Sequence, residues 1–187
     1  GVNTDLAYKN IMQKFGYGNA AKKGVYFDEE NRRRVNTIKL AHAQVARSLA
    51  LAGRKEDARR VLHRFDDQVS EANIPYGFTT NRGNMHNIFS LQFLESCYQA
   101  DDWALAGKVS ASIKKDLQQQ MRYYQNLGDA GYTQEQLANN AYMLLQGKEG
   151  DLSYRQSAFA QDILSGYQLL QQLAKWEQEF QPKKSSL

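Results

Sequence analysis

The stretch that decides the fold is residues 36–69, NTIKLAHAQVARSLALAGRKEDARRVLHRFDDQV. Apolar residues recur at spacings of three and four on both sides of Gly53, which is the pattern of two amphipathic helices. Glycine readily adopts the left-handed conformation that ends a helix. Because the connection is so short, we expect the two helices to pack side by side in opposite directions.

Helical patterns cover most of the remaining chain as well. Asp28 is a favourable N-cap for the first helix of the pair, and Asn84 for a later helix. No segment shows the alternating, β-branched pattern of a strand. The sequence therefore predicts an all-α protein of about seven helices, the last of which begins near Ser153. We expect residues 1–27 to form a short helix and a loop on the main body, residues 28–181 a helical-repeat-like domain, and residues 182–187 a frayed tail.

Small residues predict that the helices of the pair approach each other closely. Ala46 and Ala58 fall where the two helices meet, and Gly53 falls at the turn. A degenerate second unit is predicted near residues 90–115, in which Ala106 takes the place of Ala58. The pattern resembles tetratricopeptide repeats, which are antiparallel helix pairs in a right-handed superhelix, and the resemblance implies capping helices on both sides. A helix bundle with coincidental spacing is the alternative.

The charge distribution argues against a nucleic-acid partner. The net charge is +4, from 24 basic and 20 acidic residues, whereas nucleic-acid-binding proteins concentrate a basic surplus on one face. Arg33 and Arg34, in the densest basic cluster, lie four residues after Glu29 and Glu30, and such pairs stabilise a helix surface. We therefore expect a solvated helix surface and no nucleic-acid partner. No apolar run approaches the roughly 20 residues of a membrane-spanning helix.

The sequence offers no recognisable catalytic or metal-binding motif. His42, His63 and His86 are separated by 21 and 23 residues, so no two of them form an i,i+4 metal pair. His42 falls on the apolar stripe of its helix and is predicted to be a hydrogen-bonded core residue. Cys97, the single cysteine, lies in an apolar segment and is predicted to be a buried thiol. We expect no catalytic residue, no metal and no cofactor in this chain.

One cluster of aromatic and polar residues stands out around a long predicted loop. Its candidate ligand-binding members are Tyr76, Phe78, Asn81, Arg82 and His86. Aromatic faces beside amides and an arginine are suited to binding a sugar or a peptide. The alternative is a turn followed by a helix N-terminus, where asparagine is common for conformational reasons.

Three segments carry a resemblance to a known family. They are YKNIMQKF at 8–15, followed by Gly18 and Asn19, VYFDEENRR at 25–33, and IPY at 74–76. They resemble segments of large bacterial multi-pass membrane proteins of unknown function, often described as protein O-mannosyltransferase-like glycosyltransferases. The resemblance implies that this chain is the soluble, C-terminal helical region of such a protein. It would be attached to the membrane through an upstream part and face the periplasm.

The same resemblance shapes the functional expectation. It implies that any glycosyl transfer takes place in the membrane part, so this chain is not expected to be an enzyme itself. It also implies a structural role for four residues that would fix a loop onto the helix pair: Tyr26, Asp28, Arg32 and Arg33. The leading hypothesis is a non-catalytic interaction or scaffolding domain that docks a partner protein or the membrane domain of the same protein. The alternative is a module that binds a carbohydrate or peptide substrate and contributes directly to glycosyl transfer.

Overall fold

A computed structural model describes residues 3–24, 26–80 and 83–180. These residues form eight helices and no strand, so the predicted all-α class is confirmed. The helices are α1 (Thr4–Lys14), α2 (Glu29–Leu51), α3 (Lys55–Gln68), α4 (Met85–Gln99), α5 (Trp103–Gln125), α6 (Gln134–Leu145), α7 (Tyr154–Ser157) and α8 (Ala160–Phe180). None of the helices in these ranges is long and apolar enough to cross a membrane. The tetratricopeptide-like superhelix stays a prediction.

Several helices begin where the sequence supplies a capping side chain. Asp28 precedes α2, and its Oδ1 atom accepts a hydrogen bond from the backbone N–H of Asn31 at 2.8 Å, as the sequence predicts. Thr133 before α6 and Ser153 before α7 each form a capping box with the glutamine three residues later. These caps satisfy backbone donors that the first turn of a helix leaves without a partner inside the helix.

The C-terminal region differs from the sequence prediction, which has one helix beginning near Ser153. The structure instead has the single turn α7 and then α8, with Ala158 and Phe159 between them. The Gln156 side chain keeps this turn separate from α8. Its Oε1 atom accepts a hydrogen bond from the backbone N–H of Ser153, and its Nε2 atom donates one to the Tyr124 carbonyl oxygen. The extra helix therefore comes from a tertiary contact that the local periodicity does not encode.

The described residues up to Phe78, together with His86–Ile113, form one compact unit. At its centre, α2 and α3 pack against each other as the predicted pair. Gly53 makes the turn between them with a φ of +80°, which favours glycine. Ala46 and Ala58, which were predicted to permit close packing, are fully buried.

The second compact unit comprises the described residues of Thr79–Met85 and those from Lys114 onward. It contains the second part of α5 and the helices α6, α7 and α8. Its core includes a cluster of buried residues from α5, α6 and α8: Met121, Tyr124, Leu137, Ala141, Ala160 and Ile163. The domain boundaries expected from the sequence stay a prediction, and the expected tail at 182–187 lies outside the described residues.

Candidate functional site

The predicted ligand cluster around Tyr76 lies largely in the interior of the first unit. Tyr76 and His86 are buried, and the half-buried Phe78 ring lies 5.4 Å from the His86 ring. Asn81 and Arg82, the other two members, lie outside the described residues. The structure thus brings three of the predicted residues together as packing partners. Their ligand-binding role stays a prediction.

The four residues with a predicted structural role lie at the start of α2. Asp28 caps the helix, and Arg33 is exposed. The guanidinium carbon of Arg32 lies 6.0 Å from the centre of the Tyr26 ring and 5.0 Å from that of the Phe78 ring. Both distances are within cation–π range. Arg32 therefore contacts an aromatic ring of the preceding loop and a second ring from a distant part of the chain.

A buried polar network that no sequence motif predicts lies in the core of the first unit. Lys39 on α2 is only 1% exposed, and its Nζ atom donates to Ser90 Oγ at 2.9 Å and to Asn36 Oδ1 at 3.5 Å. The Asn36 amide in turn donates to His86 Nδ1 at 2.8 Å, and His86 Nε2 lies 3.3 Å from the Pro75 carbonyl oxygen. The signal in the sequence is the position of Lys39, four residues after Val35 and three before His42 on the buried face of α2.

Burial sets the protonation states of this network. It lowers the pKa of Lys39 to about 7 and that of His86 to about 3, with the positive charge of Lys39 as the second cause at His86. Because the Asn36 amide nitrogen can only donate, the neutral imidazole carries its proton on Nε2. The Ser90 hydroxyl donates to the Tyr76 carbonyl oxygen at 2.6 Å. The pair of Lys39 and Ser90 is therefore a structural contact and not an activated nucleophile.

The second unit contains a cavity of about 490 Å³, a volume typical of ligand sites, which span roughly 300–1,000 Å³. We call it the α5–α8 cavity. Its walls come from α5, from the residues at the start of α8, and from the segment that contains Thr79, Thr80 and Gly83. Spacings of three and four place one face of α5 along it. The α5 residues of this face are Asp116, Gln119, Gln120, Tyr123 and Tyr124.

Three aromatic rings form one wall of the cavity. The Tyr124 ring centre lies 5.1 Å from that of Phe159 and 5.6 Å from that of Tyr123, and the Tyr123 and Phe159 centres are 6.2 Å apart. These distances are those of rings in mutual contact. Tyr124 is buried, whereas Tyr123 is 52% exposed. The rings therefore make a continuous apolar surface with an accessible outer part.

Two carboxylates, those of Asp116 and Asp162, line the cavity. Asp116 accepts a hydrogen bond at its Oδ2 atom from the Thr79 hydroxyl at 2.7 Å. Burial raises the pKa of Asp162 above its usual value. Burial, and next the charge of Asp162, raises the pKa of Tyr124 to about 12, so this hydroxyl is protonated at neutral pH. None of the described lining residues is a lysine, arginine or histidine.

Gln120 is the most unusual residue of the cavity. It is only 6% exposed, and neither its Oε1 nor its Nε2 atom has a hydrogen-bond partner among the described residues. The amide lies near Tyr124 and lowers the pKa of its hydroxyl against the larger effect of burial, but the two groups are not in hydrogen-bonding geometry. On α8, a Cβ atom at Gly166 would lie 2.9 Å from Gln120 Oε1. The glycine therefore provides the space in which the amide sits.

Gly83 lines the cavity beside Asp162. Its φ is +67°, and a Cβ atom at this position would clash with the Asp162 carboxylate. The next residue, Asn84, is buried, and its Nδ2 atom donates to Ser165 Oγ at 2.8 Å. This bond holds the segment against α8. Gly83 therefore lies close to Asp162 in a left-handed conformation, and both features favour a residue without a side chain.

Comparison with known proteins gives no relative for this site. No protein-family model, curated protein or solved structure matches the chain. Within the described residues, no group of three or more histidine, cysteine, aspartate or glutamate side chains is placed to hold a metal ion. The role of the cavity is therefore inferred from its own chemistry, which combines two carboxylates, an aromatic wall and an amide without a hydrogen-bond partner among the described residues.

Proposed function

We propose that this chain is a non-catalytic binding module and that the α5–α8 cavity receives a group presented by a partner protein. The observation that carries the proposal is the buried Gln120 amide, whose polar atoms have no partner among the described residues. Leaving such a group unsatisfied costs about 1–3 kcal/mol. Both polar atoms are shielded from solvent, so a ligand reaches them only if the side chain turns toward the cavity; a hydrogen bond to the amide then removes this cost.

The surroundings of other reactive side chains support binding rather than catalysis. Cys97 is buried, and burial raises the pKa of its thiol well above the usual value. A protonated, inaccessible thiol is a poor nucleophile. His42 accepts a hydrogen bond from the Tyr17 hydroxyl at 2.6 Å and donates one to the Ile38 carbonyl oxygen at 2.7 Å, and burial lowers its pKa to about 4. It is therefore a neutral core histidine, as predicted.

The family resemblance supplies a setting for this proposal. In that setting the chain belongs to a membrane-attached, glycosyltransferase-like protein and faces the periplasm. The partner is then a polypeptide substrate of that protein or its own membrane domain. Paired helices such as α2 and α3 are typical of domains that dock extended peptides. The parent protein, and not this module, would carry out the transfer.

A carbohydrate substrate is the second candidate ligand, and one observation favours it. Tyr123 is half exposed at the edge of the aromatic wall, close in sequence and on the same helix face as Asp116. Aromatic faces pack against the apolar faces of sugar rings, and carboxylates accept hydrogen bonds from hydroxyl groups. Under this alternative the module would present the sugar directly to the transfer reaction.

Ligand selection with a matched pair of variants tests the proposed function. Peptide libraries and a glycan array are screened with the purified chain, and the best ligands are titrated by NMR. Gln120→Leu keeps the side-chain size and removes the amide, so we expect affinity to fall about tenfold. Gln118→Leu, on the same helix but outside the cavity lining, is expected to leave affinity unchanged. If the two variants bind the selected ligand with equal affinity, the cavity is not the binding site. If the screen selects glycans and no peptide, the ligand is a carbohydrate and not a protein.

A further inference from the structure

The three histidines of the chain all lie in the first unit, and two of them are buried. His42 on α2 has no exposed surface, and His86 on α4 is only 2% exposed. His63 on α3 is exposed, and its Nε2 atom lies 2.5 Å from Asp102 Oδ2. The sequence places no histidine in the second unit. Because histidine is the side chain that ordinarily changes charge in mild acid, such a response is expected in the first unit.

The hydrogen bonds of both buried rings fit the neutral form. The Tyr17 hydroxyl donates to His42 Nε2 at 2.6 Å, and His42 Nδ1 donates to a backbone carbonyl of its own helix at 2.7 Å. At His86 the proton lies on the other nitrogen, because Nδ1 accepts from the Asn36 amide and Nε2 faces the Pro75 carbonyl oxygen. A second proton converts the accepting nitrogen of each ring into a donor, so that the hydrogen bond to it is lost in its present form.

The surroundings of both rings oppose a second proton. Burial is the largest cause and, with the positive charge of Arg64, lowers the pKa of His42 to about 4, against an opposite effect of its backbone hydrogen bond. Burial and next the positive charge of Lys39 lower the pKa of His86 to about 3, and Arg32 adds to this effect. The charged groups that act on the two rings are therefore cations from α2 and α3.

The carboxylate of Asp66, on α3 in the same unit, is held by other partners. Its Oδ1 atom accepts hydrogen bonds from the Tyr76 hydroxyl at 2.8 Å and from Lys108 Nζ at 2.9 Å. Within the described ranges, no hydrogen bond or ion pair joins a carboxylate to His42 or His86. A protonated ring at either position is therefore buried without an anionic partner, which is costly.

We infer that the first unit is an acid-sensitive switch, in which protonation of His42 and His86 loosens the packing around α2 while the second unit stays folded. In the unfolded chain both rings have the ordinary pKa of 6.5, so below this pH the unfolded chain binds protons that the folded chain lacks. The free energy of unfolding therefore falls as the pH falls from 6.5 toward 4. In the second unit, burial raises the pKa of Asp162, so the folded chain takes up that proton more readily and acid acts in the opposite direction.

An acid titration of the whole chain followed by NMR tests the switch. Backbone amide signals report on each unit separately between about pH 7.5 and pH 4. We expect the signals of the first unit to lose their dispersion at a pH at least about one unit above that of the second. Loss of both sets of signals at the same pH, or a first unit that is still folded at the end of the titration, overturns the inference.

A matched pair of histidine variants identifies the groups responsible. Asparagine at position 86 keeps an acceptor near the place of Nδ1 but does not titrate, so His86→Asn is expected to lower the acid midpoint of the first unit by about half a pH unit. His63→Gln removes the exposed histidine beside Asp102 and is expected not to lower the midpoint. An unchanged midpoint in His86→Asn, or an equal decrease in His63→Gln, contradicts the switch.

The side-chain nitrogen signals of the wild type decide the matter if His86→Asn does not fold. We expect His42 to carry its proton on Nδ1 and His86 on Nε2, and both rings to stay neutral for as long as the first unit is folded. A ring that becomes protonated near its ordinary value of 6.5 in the folded unit overturns the inference.

Discussion

The two units of this chain bury polar side chains in opposite ways. In the first unit, Lys39, Asn36 and His86 lie in the core, and each forms hydrogen bonds with named partners. In the second unit, the Gln120 amide is buried almost as deeply, and neither of its polar atoms has a partner among the described residues. The first arrangement is complete without a ligand, whereas the second lines a cavity of about 490 Å³.

This difference separates a structural polar group from a candidate binding group. A buried network whose members satisfy one another fixes the packing of a core, and removal of one member leaves another unpaired. A buried amide without partners destabilises the free protein and is stabilised only when something binds to it. The same kind of substitution, from a buried amide to leucine, is therefore expected to have opposite effects on stability in the two units.

The largest expected effect is that of Asn36→Leu in the first unit. The substitution removes the donor to His86 Nδ1 and an acceptor of Lys39 Nζ. Because both partners stay buried, we expect the free energy of unfolding to fall by about 3 kcal/mol. Urea denaturation followed by circular dichroism measures this change.

A second substitution at the partner position tests the cause of that loss. If the penalty comes from the unpaired imidazole, Asn36→Leu combined with His86→Phe is expected to be less damaging than the sum of the two single variants, by about 1 kcal/mol or more. Strict additivity of the two substitutions would instead mean that the bond between Asn36 and His86 contributes little.

The next effect is a dependence of stability on pH that comes from Lys39. Its folded-state pKa of about 7 lies below its usual value of 10.5. Between these values the unfolded chain binds a proton that the folded chain lacks. The free energy of unfolding therefore rises with pH in this window, by at most about 1.4 kcal/mol per pH unit. We expect a contribution of about 2 kcal/mol between pH 7 and pH 9.

Comparison of two lysine variants isolates this contribution from other titrating groups. Lys39→Met is expected to lose the rise, and Lys9→Met, at an exposed position on α1, to keep it. Urea denaturation of the wild type and both variants at pH 7 and pH 9 gives the three differences. The same rise in Lys39→Met as in the wild type would show that Lys39 is charged or solvated in the folded chain.

Local sequence signals predicted the helices of the chain but not all of their boundaries. The turn at Gly53 and the cap at Asp28 follow from residue chemistry that acts within a few positions, and both are present. The break between α7 and α8 depends on the Gln156 side chain reaching Tyr124, 32 residues away. Helical periodicity contains no information about that contact, so it predicts one continuous helix.

The candidate site could not be predicted from the sequence for a similar reason. Asp116, Gln120 and Tyr123 lie on one face of α5, which the spacing reveals, but the residues opposite them come from distant positions. The cluster chosen from the sequence was contiguous, and its described members pack inside the first unit. A polar residue on a helix face also gives no local sign of whether it will find a partner. Only the packed structure shows that Lys39 has hydrogen-bond partners and that Gln120 has none among the described residues.

The smallest expected effect on stability is a gain, and it is the sharpest test of the contrast between the units. Gln120→Leu replaces an amide that has no hydrogen-bond partner among the described residues by an apolar group of similar size, so the desolvation penalty disappears. We expect the free energy of unfolding to rise by about 1 kcal/mol, whereas Asn36→Leu lowers it. Thermal denaturation of both variants, with Gln118→Leu outside the cavity lining as the control, measures the two signs together. A loss of stability in Gln120→Leu would mean that the amide is already satisfied in the free protein, which would remove the main support for a ligand in the α5–α8 cavity.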